Sequence, residues 1–364
     1  MFNTPNSARL HIAIAGDCNV GKSTLFNKLL TQNAALVSEI PGTTTDVVTK
    51  AMEFPKIGPV LLMDTAGLDD ISQLGKARVA KTLEALQKAD IILLLTSDGN
   101  LSPQSSDLHK KLIQNATPHA IIRNDEPVEN IRETIISLAP QALEPSLTAH
   151  LTQSGDCVLL VMPQDKQAPK KRLILPQQQV IRDLLDNDCV VIETTLEQLP
   201  NALKSLALQP KLVITDSQVF KQVRDKLPHN ISLTSFSMLL ARAKGDIELF
   251  MAGAHAIDEL NPGDRILIAE SCTHLVQDGD VGREKIPKLL QKHIGGELLF
   301  DFAVSSDFPK DLSVYKMVIQ CGGCMFNRKH MLSRLAKLRE AGIPVTNYGV
   351  AIAKLQGILH DVVV

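Results

Sequence analysis

The chain of 364 residues contains no tryptophan, and aromatic residues make up only 3% of it. Its core must therefore be built from aliphatic side chains, as is typical of α/β proteins whose parallel strands are rich in valine, isoleucine and leucine. Apolar residues reach 44% and charged residues 21%, a composition that supports folded domains and excludes wholesale disorder. At this length we expect two or three domains.

Three further absences exclude classes of function. The net charge is only −2, and the densest basic cluster, residues 170–172, is too short to follow a phosphate backbone, which argues against nucleic-acid binding as the main role. No apolar run approaches the ~18 residues of a membrane span. The N-terminus lacks the charged and then apolar pattern of a secretion signal. We therefore expect a cytoplasmic protein that binds neither membrane nor nucleic acid.

Apolar runs alternate with helical patterns along the chain, which predicts α/β architecture with mostly parallel sheets and right-handed crossovers. Three segments share this rhythm, and the two prolines and the glycine within residues 140–155 predict a linker after the first. The predicted strands are residues 11–16, 60–64 and 91–98, then 157–163, 189–195 and 211–217, then 265–271, 315–321 and 343–349. The predicted helices are residues 23–30, a helix with Val79, Leu83 and Leu86 on one face, residues 177–186, and residues 328–341, which end at Gly342.

The loop after the first predicted strand reads GDCNVGKS from Gly16 to Ser23, which fits the pattern GxxxxGK[ST]. Between a strand and a helix this pattern strongly indicates a nucleotide site, because its backbone N–H groups hold phosphates at a helix N-terminus. Lys22 is predicted to contact the β- and γ-phosphates, and Ser23 to bind Mg²⁺.

Two later strings, PGTTTD at 41–46 and DTAG at 64–67, follow at the spacing of small GTPases. With the loop they resemble the TrmE/Era class of translation-factor GTPases, which implies a Ras-like P-loop domain. The resemblance implies that Thr44 binds Mg²⁺, that Asp64 supports the ion, and that the Gly67 amide senses the γ-phosphate. It also implies that Asn19 helps to hold K⁺, whose positive charge could take the place of the charge that an arginine finger supplies in other GTPases. The nucleotide is assigned to Gly16, Asn19, Gly21, Lys22, Ser23, Thr24 and Thr44, and catalysis to Lys22, Thr44, Asp64 and Gly67.

The guanine-reading motif of that class, NKxD, is missing. The expected strand end reads IIRNDEP, where Asn124 and Asp125 are adjacent and not three residues apart. Too few residues separate Asp98 from Gly155 for the usual number of helix–strand units. Part of this domain, including the second guanine-contacting loop, is therefore expected to be deleted, with guanine specificity and tight affinity weakened. Phosphate binding is expected to remain.

Cysteines follow two predicted strands of the third segment, Cys272 with His274 in CTH, and Cys321 with Cys324 in CGGC. Carboxyl ends of parallel strands meet at one sheet edge, so we expect these side chains to converge, with residues 347–349 nearby. Three chemistries fit: structural zinc held by three cysteines and His274, a redox CxxC pair, or an iron–sulfur cluster on the three cysteines. The remaining cysteines, Cys18, Cys157 and Cys189, are expected to be buried apolar residues.

Several longer strings resemble one family across nearly the whole chain. They are QAPKKRLILPQQQVIRDLLD (167–186), FSMLLARAKGD (236–246), DRILIAESCTH (264–274), VGREKIP (281–287), VIQCGGCMFNRK (318–329) and PVTNYGVAIA (344–353). With the GTPase motifs they resemble HydF, the FeFe-hydrogenase maturation GTPase.

The HydF resemblance implies a GTPase domain over residues 1–150, a dimerisation domain over 155–240, and a domain over 241–364 that holds a 4Fe–4S cluster. It implies that Cys272, Cys321 and Cys324 bind the cluster. It also implies a homodimeric scaffold or carrier that delivers the two-iron subcluster precursor to apo-hydrogenase, works with radical-SAM maturases, and binds and slowly hydrolyses GTP with Mg²⁺.

One position near the cluster departs from the family, because Gln320 replaces the histidine that usually precedes CxxC. An amide is a poor iron ligand, so Glu270 and His274 remain as candidates for the fourth iron, with a hydrogen-bonding role as the alternative for His274. Two other functions stay open: a zinc-stabilised TrmE-like regulatory GTPase without cluster cargo, and a scaffold that binds no nucleotide.

Overall fold

The structure is a computed structural model that describes residues 4–31, 38–39, 47–70, 75–140, 145–163, 173–271, 280–304 and 308–364. It divides into two compact units, Met1–Glu144 and Pro145–Val364. Both units are α/β with mostly parallel sheets, as the sequence predicts. No helix in the described ranges is both long and apolar enough to cross a membrane.

The first unit contains one six-stranded sheet with the order β2-β3-β4-β1-β5-β6. Its strands are β1 (Leu10–Gly16), β2 (Ser38–Glu39), β3 (Val48–Phe54), β4 (Gly58–Asp64), β5 (Ile91–Thr96) and β6 (His119–Arg123). Its helices are α1 (Lys22–Thr31), α2 (Gly75–Lys88), α3 (Pro103–Gln114) and α4 (Val128–Leu138). Strands β2 and β3 are antiparallel to their neighbours, and the other pairs are parallel.

Strands β1 and β5 are buried along their whole length, because helices cover both faces of the sheet. Side chains of β1 alternate between two apolar clusters: Ile12 packs in one with Phe26 and Leu29 of α1, and Ala13 packs in the other with Leu86 of α2. Helix α2 lies where the sequence predicts it, but Leu83 is exposed, so its buried face is centred on Thr82, Ala85 and Leu86 instead.

The second unit contains two four-stranded parallel sheets. The first has the order β10-β9-β7-β8, and the second β12-β11-β13-β14. The strands are β7 (Cys157–Val161), β8 (Val190–Thr194), β9 (Leu212–Thr215), β10 (Ser232–Ser235), β11 (Arg265–Glu270), β12 (Leu299–Val304), β13 (Met317–Gln320) and β14 (Val345–Asn347). The helices are α5 (Leu175–Asp186), α6 (Leu199–Ser205), α7 (Phe220–Arg224), α8 (Phe236–Lys244), α9 (Ile247–Gly253), α10 (Ile286–Ile294), α11 (Arg328–Glu340) and α12 (Tyr348–Leu355).

One apolar core joins the two sheets of this unit, with Val213 from one sheet and Leu267 and Val318 from the other. Helix α8 contributes Met238 to that core and spans the predicted boundary between residues 240 and 241. The three domain boundaries given above stay a prediction.

Candidate nucleotide and cysteine sites

The phosphate loop joins β1 to α1 and takes a conformation that its sequence permits. Gly16 and Gly21 have φ of +149° and +98°, and a Cβ on Gly16 would lie 2.4 Å from the Leu95 carbonyl oxygen. Asn19 has φ of +61°, a left-handed conformation that asparagine tolerates better than most side chains. Glycine is therefore needed at position 16, where the backbone comes close to β5, and is favoured at position 21 by its positive φ.

Lys22 and Ser23 begin α1, and both side chains make hydrogen bonds next to the phosphate loop. The Lys22 Nζ donates to the carbonyl oxygens of Gly16 (3.2 Å) and Asp17 (2.5 Å). Burial lowers the pKa of Lys22. The Ser23 Oγ donates to Asp64 Oδ2 at 2.6 Å, and burial raises the pKa of Asp64. A hydroxyl and a carboxylate at this distance are a donor set that fits Mg²⁺.

The DTAG segment packs directly on the loop. The Leu68 N–H donates to the Gly16 carbonyl oxygen at 3.2 Å, and a Cβ on Gly67 would lie only 2.2 Å from Cys18 Sγ. Cys18 is exposed in the loop, so the expectation that it is buried is wrong.

Two contacts of the loop have no counterpart in the sequence motifs. The hydroxyls of Ser102 and Ser105, at the start of α3, both donate to Asp17 Oδ1 at 2.8 Å. The Cys18 N–H donates to Asp69 Oδ1 at 2.6 Å, and this bond lowers the pKa of Asp69. Asp69 thus places its carboxylate on a backbone amide of the phosphate loop, where it would compete with a phosphate for that N–H.

Replacing Asp69 by asparagine should therefore tighten Mg-GDP binding by roughly three- to tenfold, because the variant removes a charged competitor from the loop. Titration calorimetry on the full-length protein measures the change. Asp70→Asn is the matched control, since Asp70 pairs with Arg78 at 3.6 Å. Equal affinities of the wild type and the Asp69 variant would contradict the competition.

The end of β6 forms the wall of a cavity of about 190 Å³ next to the loop. Asn124 Nδ2 donates to the Val20 carbonyl oxygen at 3.3 Å, which ties this wall to the phosphate loop. The neighbouring Asp125 forms an exposed ion pair with Arg123. The cavity is lined by Gly21, Thr24, Leu25, Lys28, Leu95, Arg123, Asn124, Glu126, Val128 and Ile131.

In the second unit, the ends of β11, β13 and β14 meet at one edge of their sheet, as predicted. Ala269 pairs with Gln320, and Gln320 pairs with Asn347. The Cys321 N–H donates to the Ala269 carbonyl oxygen at 2.8 Å and extends this register. Cys321 therefore begins directly where the sheet ends.

The Cys321 sulfur is surrounded by hydrogen-bond donors. The N–H of Ser271 lies 3.1 Å from Sγ, its hydroxyl also lies at 3.1 Å, and Gln320 Nε2 lies at 3.6 Å. Donors around sulfur favour the thiolate, which is the form that binds metal. The sulfur environment thus fits a metal-bound cysteine.

Gln320 is held in one orientation by Arg334. The Arg334 Nε and Nη2 both donate to Gln320 Oε1 at 3.3 Å, and Gln320 Nε2 donates to the Ala269 carbonyl oxygen at 3.2 Å. Because a guanidinium only donates, the amide must turn its oxygen to Arg334 and its nitrogen to Cys321. In this orientation both the oxygen and the nitrogen of the Gln320 amide are engaged by protein partners.

Two buried cations lie beside the CGGC loop. Arg334 is 2% exposed and stacks on Phe308 with 3.9 Å between its Cζ and the ring centre. Lys244 is fully buried and donates to the Phe326 carbonyl oxygen at 3.0 Å. Positive charge next to thiolates fits an anionic metal–sulfur group, zinc or iron alike.

The buried Glu270 forms an ion pair with the partly exposed Arg283, with 2.9 Å between Arg283 Nη2 and Glu270 Oε2. The bond raises the pKa of Arg283. Iron binding by Glu270 would have to break this pair and leave the arginine charge without it, which counts against the carboxylate as the fourth ligand.

The structure describes only some of the remaining residues that the sequence singles out. Thr44, Cys272 and His274 lie outside the described residues, whose side chains include no cluster of three or more metal-binding groups. Cys324 is half-buried at the start of the turn before α11. Cys189 is buried, as predicted, and Cys157 is half-buried.

Comparison with known proteins first gives local relatives among GTPases. GTPase Der of Helicobacter hepaticus is 38% identical over 124 residues, covering 34% of this chain and 25% of that protein. The tRNA modification GTPase MnmE of Nitrosospira multiformis is 47% identical over 88 residues, covering 23% and 19%. The chain thus spans about a fifth to a quarter of the length of these relatives.

Among solved structures, Era of Aquifex aeolicus bound to GDP and AlF4⁻ is 17% identical, over 81% of this chain and 92% of that chain, with a TM-score of 0.25. A TM-score this low adds nothing to the assignment.

Three family models match separate parts of the chain. They are the 50S ribosome-binding GTPase over residues 11–125, the hydrogen maturase F dimerization domain over 147–245, and the hydrogen maturase F tetramerization domain over 248–364. The two hydrogen maturase F models leave almost nothing of the second unit unmatched, and the GTPase model contains the phosphate loop and β1 to β6 except Leu10. The chain therefore belongs to the hydrogen maturase F family.

Proposed function

We propose that this protein is a cytoplasmic scaffold or carrier of FeFe-hydrogenase maturation, which binds a 4Fe–4S cluster and delivers the two-iron subcluster precursor to apo-hydrogenase. The observation that carries the proposal is the Cys321 sulfur, surrounded by three donors at a sheet edge of a hydrogen maturase F domain. Radical-SAM maturases would supply the precursor, which is cargo and not a resident group.

Cys272, Cys321 and Cys324 would hold the cluster. His274 remains the candidate for the fourth iron, and the Arg283 ion pair speaks against Glu270. A cluster with one weakly held iron could bridge to cargo, whereas a cluster with four cysteine ligands has no open position. The protein would act as a homodimer, in keeping with the dimerization and tetramerization models that it matches.

The first unit would bind and hydrolyse GTP and act as a switch. Ser23 would hold Mg²⁺ with Thr44, Asp64 would support the ion, and Lys22 would contact the phosphates, with K⁺ near Asn19. Nucleotide state would change partner affinity through the loops that contain Thr44 and Gly67.

Anaerobic purification followed by iron, sulfide and zinc analysis tests the proposal. We expect a brown protein that absorbs near ~400 nm and holds roughly four irons per chain. A colourless protein with one zinc per chain, unable to take up iron and sulfide, would overturn it in favour of a zinc-stabilised regulatory GTPase.

A further inference from the structure

The cavity beside the phosphate loop has the size of a single ring system. Its volume is about 190 Å³, below the ~300 Å³ at which sites for whole drug-sized ligands begin. Its walls are α1, at Thr24, Leu25 and Lys28, and the turn between β6 and α4. Gly21 of the phosphate loop also lines the cavity, so a nucleotide held at the loop can place its base here.

The turn after β6 offers two neighbouring carboxylates, and they differ in placement. Asp125 is exposed and held by Arg123, with 2.9 Å between Arg123 Nε and Asp125 Oδ1. Glu126 is half-buried and, of the described residues that line the cavity, supplies its one carboxylate. The acceptor that NKxD would provide is thus available from Glu126.

Asn124 fixes the position of this turn. Its backbone N–H donates to the Thr96 carbonyl oxygen at 2.9 Å, and its side chain donates to Val20 in the phosphate loop. The turn that carries Glu126 is therefore anchored both to the sheet and to the loop. Asn124 acts as a positioning residue.

Guanine presents two adjacent donors, the ring N1–H and the 2-amino group, which one carboxylate can accept together. Adenine presents a lone pair at N1, which a carboxylate repels. We infer that Glu126 reads guanine in this cavity in place of the missing NKxD aspartate, so that the first unit keeps a preference for guanine nucleotides. The inference rests on the proposed nucleotide binding.

The test is titration calorimetry of the full-length protein with the Mg²⁺ complexes of GDP, IDP, XDP and ADP. The wild type should bind GDP best and IDP more weakly, because hypoxanthine lacks the 2-amino group. Glu126→Gln should lose about 10- to 100-fold in GDP affinity and bind XDP more tightly than the wild type does. The amide can donate to the xanthine 2-oxygen while it accepts from N1–H.

Asp125→Asn is the matched control and should leave all four affinities unchanged, and circular dichroism should show that both variants fold. Loss of GDP affinity in Asp125→Asn, or unchanged GDP affinity in Glu126→Gln, overturns the inference while nucleotide binding stands. Equal wild-type affinity for all four nucleotides overturns it as well. If the wild type binds none of the four nucleotides, the proposed nucleotide function itself is wrong.

Discussion

Replacing Cys321 by alanine in the anaerobically reconstituted protein should lower its iron from roughly four atoms per chain to less than about one. The variant removes the sulfur that the Ser271 N–H and hydroxyl and the Gln320 amide hold in place, so the donors at the sheet edge lose the group that they orient. Iron and sulfide analysis, together with the absorbance near ~400 nm, measures the loss.

The fold should survive this substitution, because Cys321 is only half-buried and lies beyond the end of β13. Circular dichroism checks this. Cys157→Ala is the matched control, because Cys157 is also a half-buried cysteine of this unit, at the start of β7. The Cys157 variant should keep the iron content of the wild type. A Cys321 variant with a full iron complement would remove this residue from the ligand set.

Replacing Lys22 by alanine should lower GTP turnover by roughly 10²- to 10³-fold and leave the iron content unchanged. The Lys22 ammonium is held within the phosphate loop by two carbonyl oxygens, where it would stabilise charge that develops on the γ-phosphate. Phosphate release at saturating GTP measures turnover.

Lys110→Ala is the control for Lys22, because Lys110 lies exposed on α3 and pairs with Asp107. It should turn over GTP like the wild type. Loss of iron in the Lys22 variant would show that the two sites, which lie in separate units, are not independent.

The sequence predicts most of the buried parallel strands because they are continuous apolar runs, but it misses β10, a short strand with three hydroxyl residues at a sheet edge. Strand β3 is missed because Thr49, Lys50 and Glu53 interrupt its apolar residues, so that it forms no continuous apolar run. Strand β12 was missed for a related reason: it lies at a sheet edge, is half exposed and carries Asp301.

The placement of the phosphate loop between β1 and α1, and of Cys321 at the end of β13, was predictable because a motif or a strand end fixes the backbone there. The contact of Asp69 with Cys18 was not, because it depends on how the segment after DTAG turns back over the loop. Glu126 was hidden for the same reason, since only the turn after β6 decides which of two adjacent carboxylates borders the cavity.

The hydrogen bonds from Arg334 to Gln320 restrict which side chains position 320 can accept. Whatever side chain stands at 320 must accept from a buried guanidinium on one side and donate to sulfur on the other. Glutamine does so with two different atoms, and a neutral histidine can do so with its two ring nitrogens, whereas glutamate offers no donor. A graft of this edge into another protein therefore has to carry both positions.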